Sequence, residues 1–244
     1  MLIVITKNYK EMSKIACENV IDEILKKPNI RIGFATGQTP LLMYKELTNA
    51  YRKNKISFSG ITSFNLDEYY PISRKNKNSY YDYMQKNLFK KINIKKSNIN
   101  SLNGEAKNPE KECKNYERKI KKKKINLQIL GVGVNGHIGF NEPGSSFNSK
   151  TRLVKLAEQT IERNSRFFKN KKEVPEHALT MGIRTIMNCD KIIFLASGKN
   201  KANVVKALVE GRINKNCPAS FLKKHKNLVL IIDKQAGRFL KKSI

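Results

Sequence analysis

Cysteine is scarce in this 244-residue chain. Cys17, Cys113, Cys189 and Cys217 stand far apart, with no C-x-x-C pair and no histidine beside them. Such spacing argues against a zinc site or a disulfide framework, and the thiols read as core or surface groups of a reducing compartment. Long apolar runs are also missing, none approaching the ~18 residues that a membrane span needs. Residues 1–6 read as a first strand. With no basic segment ahead of a longer apolar stretch, no secretory leader is expected and the cytoplasm is the default location. Acidic residues are few: 20 Asp and Glu face 49 Lys and Arg, a formal net charge of +29.

That excess suggests nucleic acid or an anionic membrane as partner. Against it, the lysines are spread along the whole chain among many Asn and Ile, as A/T-rich codons produce. The densest cluster, Lys119 and Lys121 to Lys124, closes a predicted helix, where cations suit the helix dipole, and no aromatics interleave it. The expectation is no nucleic acid and no membrane; the charge can still steer a small anionic substrate inward.

What is present is alternation. Helical spacing marks 11–27, 40–54, 79–92, 109–122, 161–168 and 200–211, and apolar runs at 30–35, 61–66, 125–130, 191–197 and 227–233 read as strands, with 151–157 less regular. Strands alternating with helices predict an α/β fold: an open, mostly parallel sheet with helices on both faces. No repeat, linker or composition break appears, so residues 1–244 read as one domain, with 144–171 as a candidate lid.

Three segments carry chemistry. After the run at 125–130 comes Gly131-Val-Gly133-Val-Asn135-Gly136-His137-Ile-Gly139-Phe-Asn141-Glu142-Pro143-Gly144. Gly131, Gly133 and Gly136 fit G-x-G-x-x-G, but Gly139, Pro143 and Gly144 oppose the helix that a dinucleotide site requires. An active-site loop remains, with His137 and Glu142 as proton-transfer groups, beside the plain alternative of a glycine-rich turn. The second segment is Thr36-Gly37-Gln38-Thr39-Pro40, between a strand and a helix. Thr39 suits an N-cap and Pro40 the first helical position, which makes an anion site of the helix start. Without the Lys-Ser/Thr of a P-loop, a routine helix start also fits. The third is Asn65-Leu-Asp67-Glu68-Tyr69 at a strand end. Asp67 there is a candidate base or part of a solvated turn, and with no histidine near it a metal site is weak.

Together these segments, with Asn164-Ser-Arg166-Phe-Phe168, Ala178-Leu-Thr-Met-Gly182 and Gly198-Lys-Asn-Lys201-Ala202, resemble the glucosamine-6-phosphate deaminase family over nearly the whole chain. The resemblance implies conversion of glucosamine 6-phosphate and water to fructose 6-phosphate and ammonia, with no metal or organic cofactor. It implies ring opening by His137, tuned by Glu142 and Asn135, and proton transfer from C2 to C1 by Asp67. Thr36, Gly37, Gln38, Thr39, Gly133, Arg166 and Lys201 would bind substrate, the two cations and the loop amides gripping its phosphate. The related 6-phosphogluconolactonases share the fold, and a non-catalytic sugar-phosphate sensor is a further alternative.

Asn135 stands where part of the family has Asp, and supplies a hydrogen bond without charge. Gln38 replaces a common Gly or Ser, altering the rim of the phosphate pocket. In activated hexameric members, an Arg and a Lys two residues on bind N-acetylglucosamine 6-phosphate. Here Arg152 is followed by Val154, and the chain stops at Ile244, sooner than in those members. Both features imply the non-allosteric type, as a monomer or homo-oligomer.

Overall fold

In the computed structural model, which describes residues 1–241, the chain alternates as its apolar pattern requires. The strands are β1 (Leu2–Thr6), β2 (Arg31–Phe34), β3 (Thr62–Asn65), β4 (Asp67–Tyr70), β5 (Ile99–Asn100), β6 (Leu127–Leu130), β7 (Arg152–Lys155), β8 (His177–Thr180), β9 (Lys191–Ala196) and β10 (Leu228–Asp233). The helices are α1 (Tyr9–Lys26), α2 (Leu41–Arg52), α3 (Tyr80–Asn87), α4 (Pro109–Lys122), α5 (Glu158–Ser165), α6 (Ile183–Met187) and α7 (Ala202–Val209). The expected domain, 1–244, ends on residues 242–244, which lie outside the described residues.

Seven strands form one parallel sheet in the order β1-β10-β9-β6-β2-β3-β5. Successive side chains of a strand point to opposite faces, and the core divides accordingly. Ile193, Leu195, Val229 and Ile231 join Met12, Val20, Tyr44 and Leu47 of α1 and α2 on one face. Ile192, Phe194, Leu228 and Leu230 join Tyr116 of α4 and Val205 and Leu208 of α7 on the other. Helix starts follow local chemistry. Asn108 caps α4 by accepting from Lys111 N at 2.8 Å, with Pro109 as the first helical residue, and Asn8 caps α1 by accepting from Glu11 N at 3.0 Å.

A second sheet was not expected. β4, β8 and β7 form a separate antiparallel sheet in that order, so the segment after Leu66 is itself a strand and not simply the end of β3. Asp67 pairs with Thr180 in it. The irregular run at 151–157 contains β7, and Leu66, Leu179 and Met181 join the small sheet to the core around α4 and α7. Another difference lies at α2. Pro40 occupies the N-cap position and the helix begins at Leu41, so Thr39 does not cap it.

Candidate active site

The chain leaves β2 toward β3 on one side and β6 toward β9 on the other, although β2 and β6 are neighbours. Such a reversal opens a crevice at the carboxyl ends of the two strands, where α/β folds bind ligands. A cleft of about 480 Å3 lies there, lined by Thr36 to Thr39, Asp67, Gly131, Gly133, His137, Thr160, Arg166 and Lys201 among others. A larger and more open hollow of about 700 Å3 runs along α2 and shares Gln38, Thr39 and Ser197, but it contains none of the acid–base groups.

The 36–39 turn forms one end of the cleft. Gly37 has φ +93°, a conformation that costs glycine little. Tyr83 Oη donates to Gly37 O, and Tyr9 Oη donates to Gln38 O at 2.9 Å. These contacts occupy carbonyls. The N–H groups of Gly37, Gln38 and Thr39 meet no protein acceptor among the described residues, which leaves them for an anion. Arg166 follows α5 and stacks over Phe167 at 4.7 Å. Lys201 Nζ donates to Val132 O at 2.7 Å, which fixes the ammonium beside the glycine loop.

Asp67 is 5% exposed, and its Oδ1 has no hydrogen-bond partner among the described residues. Burial, with the Glu68 charge beside it, pushes its carboxyl well above the usual range. Glu68 is 2% exposed and pinned differently. Oε1 accepts from Tyr69 N and Tyr80 N at 3.0 and 2.8 Å, and Oε2 accepts from Tyr81 N at 2.8 Å. Burial raises its carboxyl to about 7, against those bonds and the Arg74 charge.

No helix follows the 131–144 loop. The fully buried Asn141 shapes it by donating to Ile138 O at 2.9 Å and Met181 O at 2.7 Å. His137 Nδ1 lies 3.3 Å from Glu142 Oε2, an ion-pair distance without the alignment of a hydrogen bond. Asn135 Nδ2 donates to Glu142 Oε2 at 2.7 Å, and its Oδ1 accepts from His137 N at 3.2 Å. Asn135 thus orients the carboxylate and the backbone, and the imidazole itself faces Glu142. Burial raises the Glu142 carboxyl, but His137, Thr160 and Asn135 outweigh it and bring it down to about 2. Gly133 has a different part from the one expected. Its N–H donates to His137 O at 2.9 Å, and a Cβ there would lie 2.3 Å from His137 Cε1. It makes room for the imidazole and offers substrate no free amide.

The cleft therefore gathers every expected site residue except Asn135 and Glu142, which stand directly behind His137. Sequence reading missed Thr160, whose Oγ1 donates to Glu142 Oε1 at 2.6 Å. It missed Tyr83 as well. A threonine inside Glu-Gln-Thr-Ile-Glu gives no spacing signal, and Tyr83 looks like any aromatic on an amphipathic helix.

An anion turn and an acid–base cluster at the switch point of a doubly wound sheet define a class of α/β proteins that handle small anionic molecules. Within it, the family model for glucosamine-6-phosphate isomerases and 6-phosphogluconolactonase matches residues 7–231, and the chain belongs to that family. A glucosamine-6-phosphate deaminase of Clostridium botulinum is 54% identical over 242 residues, covering 99% of each chain. A solved monomeric glucosamine-6-phosphate deaminase superposes with TM-score 0.95 at 42% identity, over 98% of this chain and 99% of that one. The 6-phosphogluconolactonase of Trypanosoma brucei shares the fold, with TM-score 0.80 at 19% identity over 98% of each chain.

Proposed function

We propose that the protein converts glucosamine 6-phosphate and water to fructose 6-phosphate and ammonia. Asp67 carries the reading: a buried carboxyl with an unpartnered oxygen lines the same cleft as the free amides of 37–39 and the His137–Glu142 pair. The amides, Arg166 and Lys201 hold the phosphate dianion. His137 takes the proton of the C1 hydroxyl and delivers one to the ring oxygen; the C1–O5 bond breaks and an aldehyde forms. Asp67 then removes the C2 proton; the electron pair of that bond forms the C1=C2 bond while the C1=O π pair moves onto O1, which takes a proton from solvent, and an enolamine results. Returning the proton to C1 gives an imine at C2. Water adds to that carbon, the C2–N bond breaks, and ammonia leaves. One proton moves between adjacent carbons, a task for a carboxylate in a low-dielectric site. No electrons enter or leave, so the sequence of steps calls for no redox cofactor.

The experiment is release of ammonia and fructose 6-phosphate by purified, metal-free protein. Equal amounts of both are expected. Bound substrate without ammonia overturns the reading in favour of a sensor, and hydrolysis of 6-phosphogluconolactone instead assigns the chain to the lactonase side of the family.

The same reading makes the protein a cytoplasmic monomer with hyperbolic kinetics, without a nucleic-acid or membrane partner. Val154 in place of the activator-binding lysine and the monomeric solved relative support it, and no helix among the described residues is long and apolar enough to cross a membrane. Sedimentation at a single chain's mass, unchanged by N-acetylglucosamine 6-phosphate, is the expected outcome.

A further inference from the structure

Helix α5 touches the cleft at both of its ends. Near its start, Thr160 is 6% exposed and donates through Oγ1 to Glu142 Oε1 at 2.6 Å. Just past its end stands Arg166, with Asn164, Phe167 and Phe168 also lining the cleft. About six residues separate Thr160 from Arg166, roughly 9 Å of helix rise. One short rigid element therefore connects the cation assigned to the phosphate with the carboxylate behind His137.

The two oxygens of Glu142 are held from different parts of the chain. Oε2 accepts from Asn135 and faces His137, and both of those residues belong to the 131–144 loop. Oε1 accepts from Thr160 of α5. Among the described residues His137 is the titratable group that faces Glu142, and the hydrogen bond to Oε1 comes from Thr160. When α5 sits where it does, the carboxylate is gripped at both oxygens and its plane is fixed against the imidazole. When α5 moves, Oε1 loses its donor and the carboxylate can rotate about its last bond.

We propose that Thr160 is a positioning residue that couples the placement of α5, and hence phosphate capture by Arg166, to the orientation of Glu142 against His137. The ring-opening group is then fully aligned only when the phosphate end of the substrate has brought α5 home. This deepens the deaminase reading and rests on it for its kinetic consequences, but the contact itself is independent of the substrate's identity.

The test is Thr160→Val, which keeps the side-chain shape and removes the donor, beside Thr160→Ser, which keeps the donor. In T160V, kcat falls about tenfold, the size expected for one lost charge-assisted hydrogen bond. Inhibition by inorganic phosphate weakens several-fold, because coupling between two sites is reciprocal and α5 loses its tie to Glu142, although the 36–39 amides, Arg166 and Lys201 are intact. The acid limb of kcat/KM moves to higher pH, and T160S restores most of kcat. A second readout needs no turnover: the carbon-detected titration of the Glu142 carboxyl moves upward from about 2 in T160V and returns in T160S. Unchanged kcat and an unchanged Glu142 titration in T160V overturn the proposal. So does an equal loss in both variants with lowered thermal stability, which reduces Thr160 to packing. If the unaltered protein releases no ammonia while inorganic phosphate still moves the Glu142 titration, and does so less in T160V, the coupling stands and the deaminase reading falls.

Discussion

Asp67 and Glu68 are adjacent and both buried, yet their surroundings give them different work. Three backbone N–H groups hold Glu68 and tie β4 to the start of α3, whereas Asp67 keeps an oxygen without a partner among the described residues. A carboxyl so held builds structure; one with an open oxygen at a cleft is available to a substrate proton. Asp67→Asn keeps the shape and should lower turnover about 10³-fold, within the range of general-base losses. Phosphate inhibition should persist, since the anion turn is untouched. Exchange of the C2 proton with deuterated solvent is the measurement, and near-normal exchange removes Asp67 from the chemistry. Stability should follow pH with two opposite contributions. The Glu142 carboxyl is lower in the folded chain, so its contribution is whole above about 4.5 and drains as pH falls toward about 2. The Glu68 carboxyl is higher in the folded chain, so its contribution is whole below about 4.5 and is lost as pH rises through about 7. The Asp67 carboxyl is raised as well and acts in the same direction as Glu68, so thermal midpoints should decline as pH rises from about 4.5 to about 7, and Glu68→Gln should reduce that decline without abolishing it. An unchanged slope in that variant assigns the decline to other groups. At this scale the sequence was informative wherever residue type sets chemistry, as for His137, Glu142 and Asp67. It was silent on Thr160, whose role exists only because α5 lies across the loop.

Short elements carry the site, and they explain what pattern reading could and could not reach. Long amphipathic runs such as α1 and α4 announce themselves by period and cap, and α4 spans the expected 109–122. The three strands of the small sheet have four residues each, too few for a period to emerge. β4 follows β3 after Leu66 alone, without the Gly, Pro or Asn cluster that usually marks a break. The expectation for Thr39 failed for a related reason. A threonine before proline fits a cap in sequence, but the turn carries Gly37 at positive φ, and the helix starts one residue later with Thr39 left at the cleft. The turn that bears Lys201 depends on a distant element. Asp233, at the end of β10, accepts from Ser197 Oγ, from Gly198 N at 3.1 Å and from Ala236 N at 2.8 Å. Gly198 has φ +93° and opens the short turn Lys199–Lys201. Asp233→Asn puts an amide donor where only donors point. It should raise KM about tenfold through a displaced Lys201, with kcat changed less. A fall in kcat at constant KM would place Lys201 in the transition state rather than in phosphate binding.

The whole molecule carries a net charge of +29, and its cleft is lined by three cations, Lys77, Arg166 and Lys201. The two populations of charge act at different ranges. Arg166 and Lys201 would touch the phosphate directly, and contact interactions of this kind resist screening. The scattered lysines act through solvent, over a distance that salt sets: the Debye length is about 30 Å at 0.01 M and about 8 Å at 0.15 M. A surface of one sign raises the local concentration of an anionic substrate and its rate of arrival, without altering the chemistry that follows. Raising salt across that range should therefore lower kcat/KM several-fold and leave kcat nearly constant. If kcat/KM stays flat, the excess lysine has no part in capture. A nucleic-acid role makes a different demand, because counterion release ties affinity to the logarithm of salt and to the number of phosphates contacted. Retention of duplex DNA at 0.15 M salt, with a slope of several phosphates, would contradict the reading of the charge as a diffuse field around a sugar-phosphate site. Loss of all retention by 0.15 M, beside a falling kcat/KM, is what that diffuse field requires.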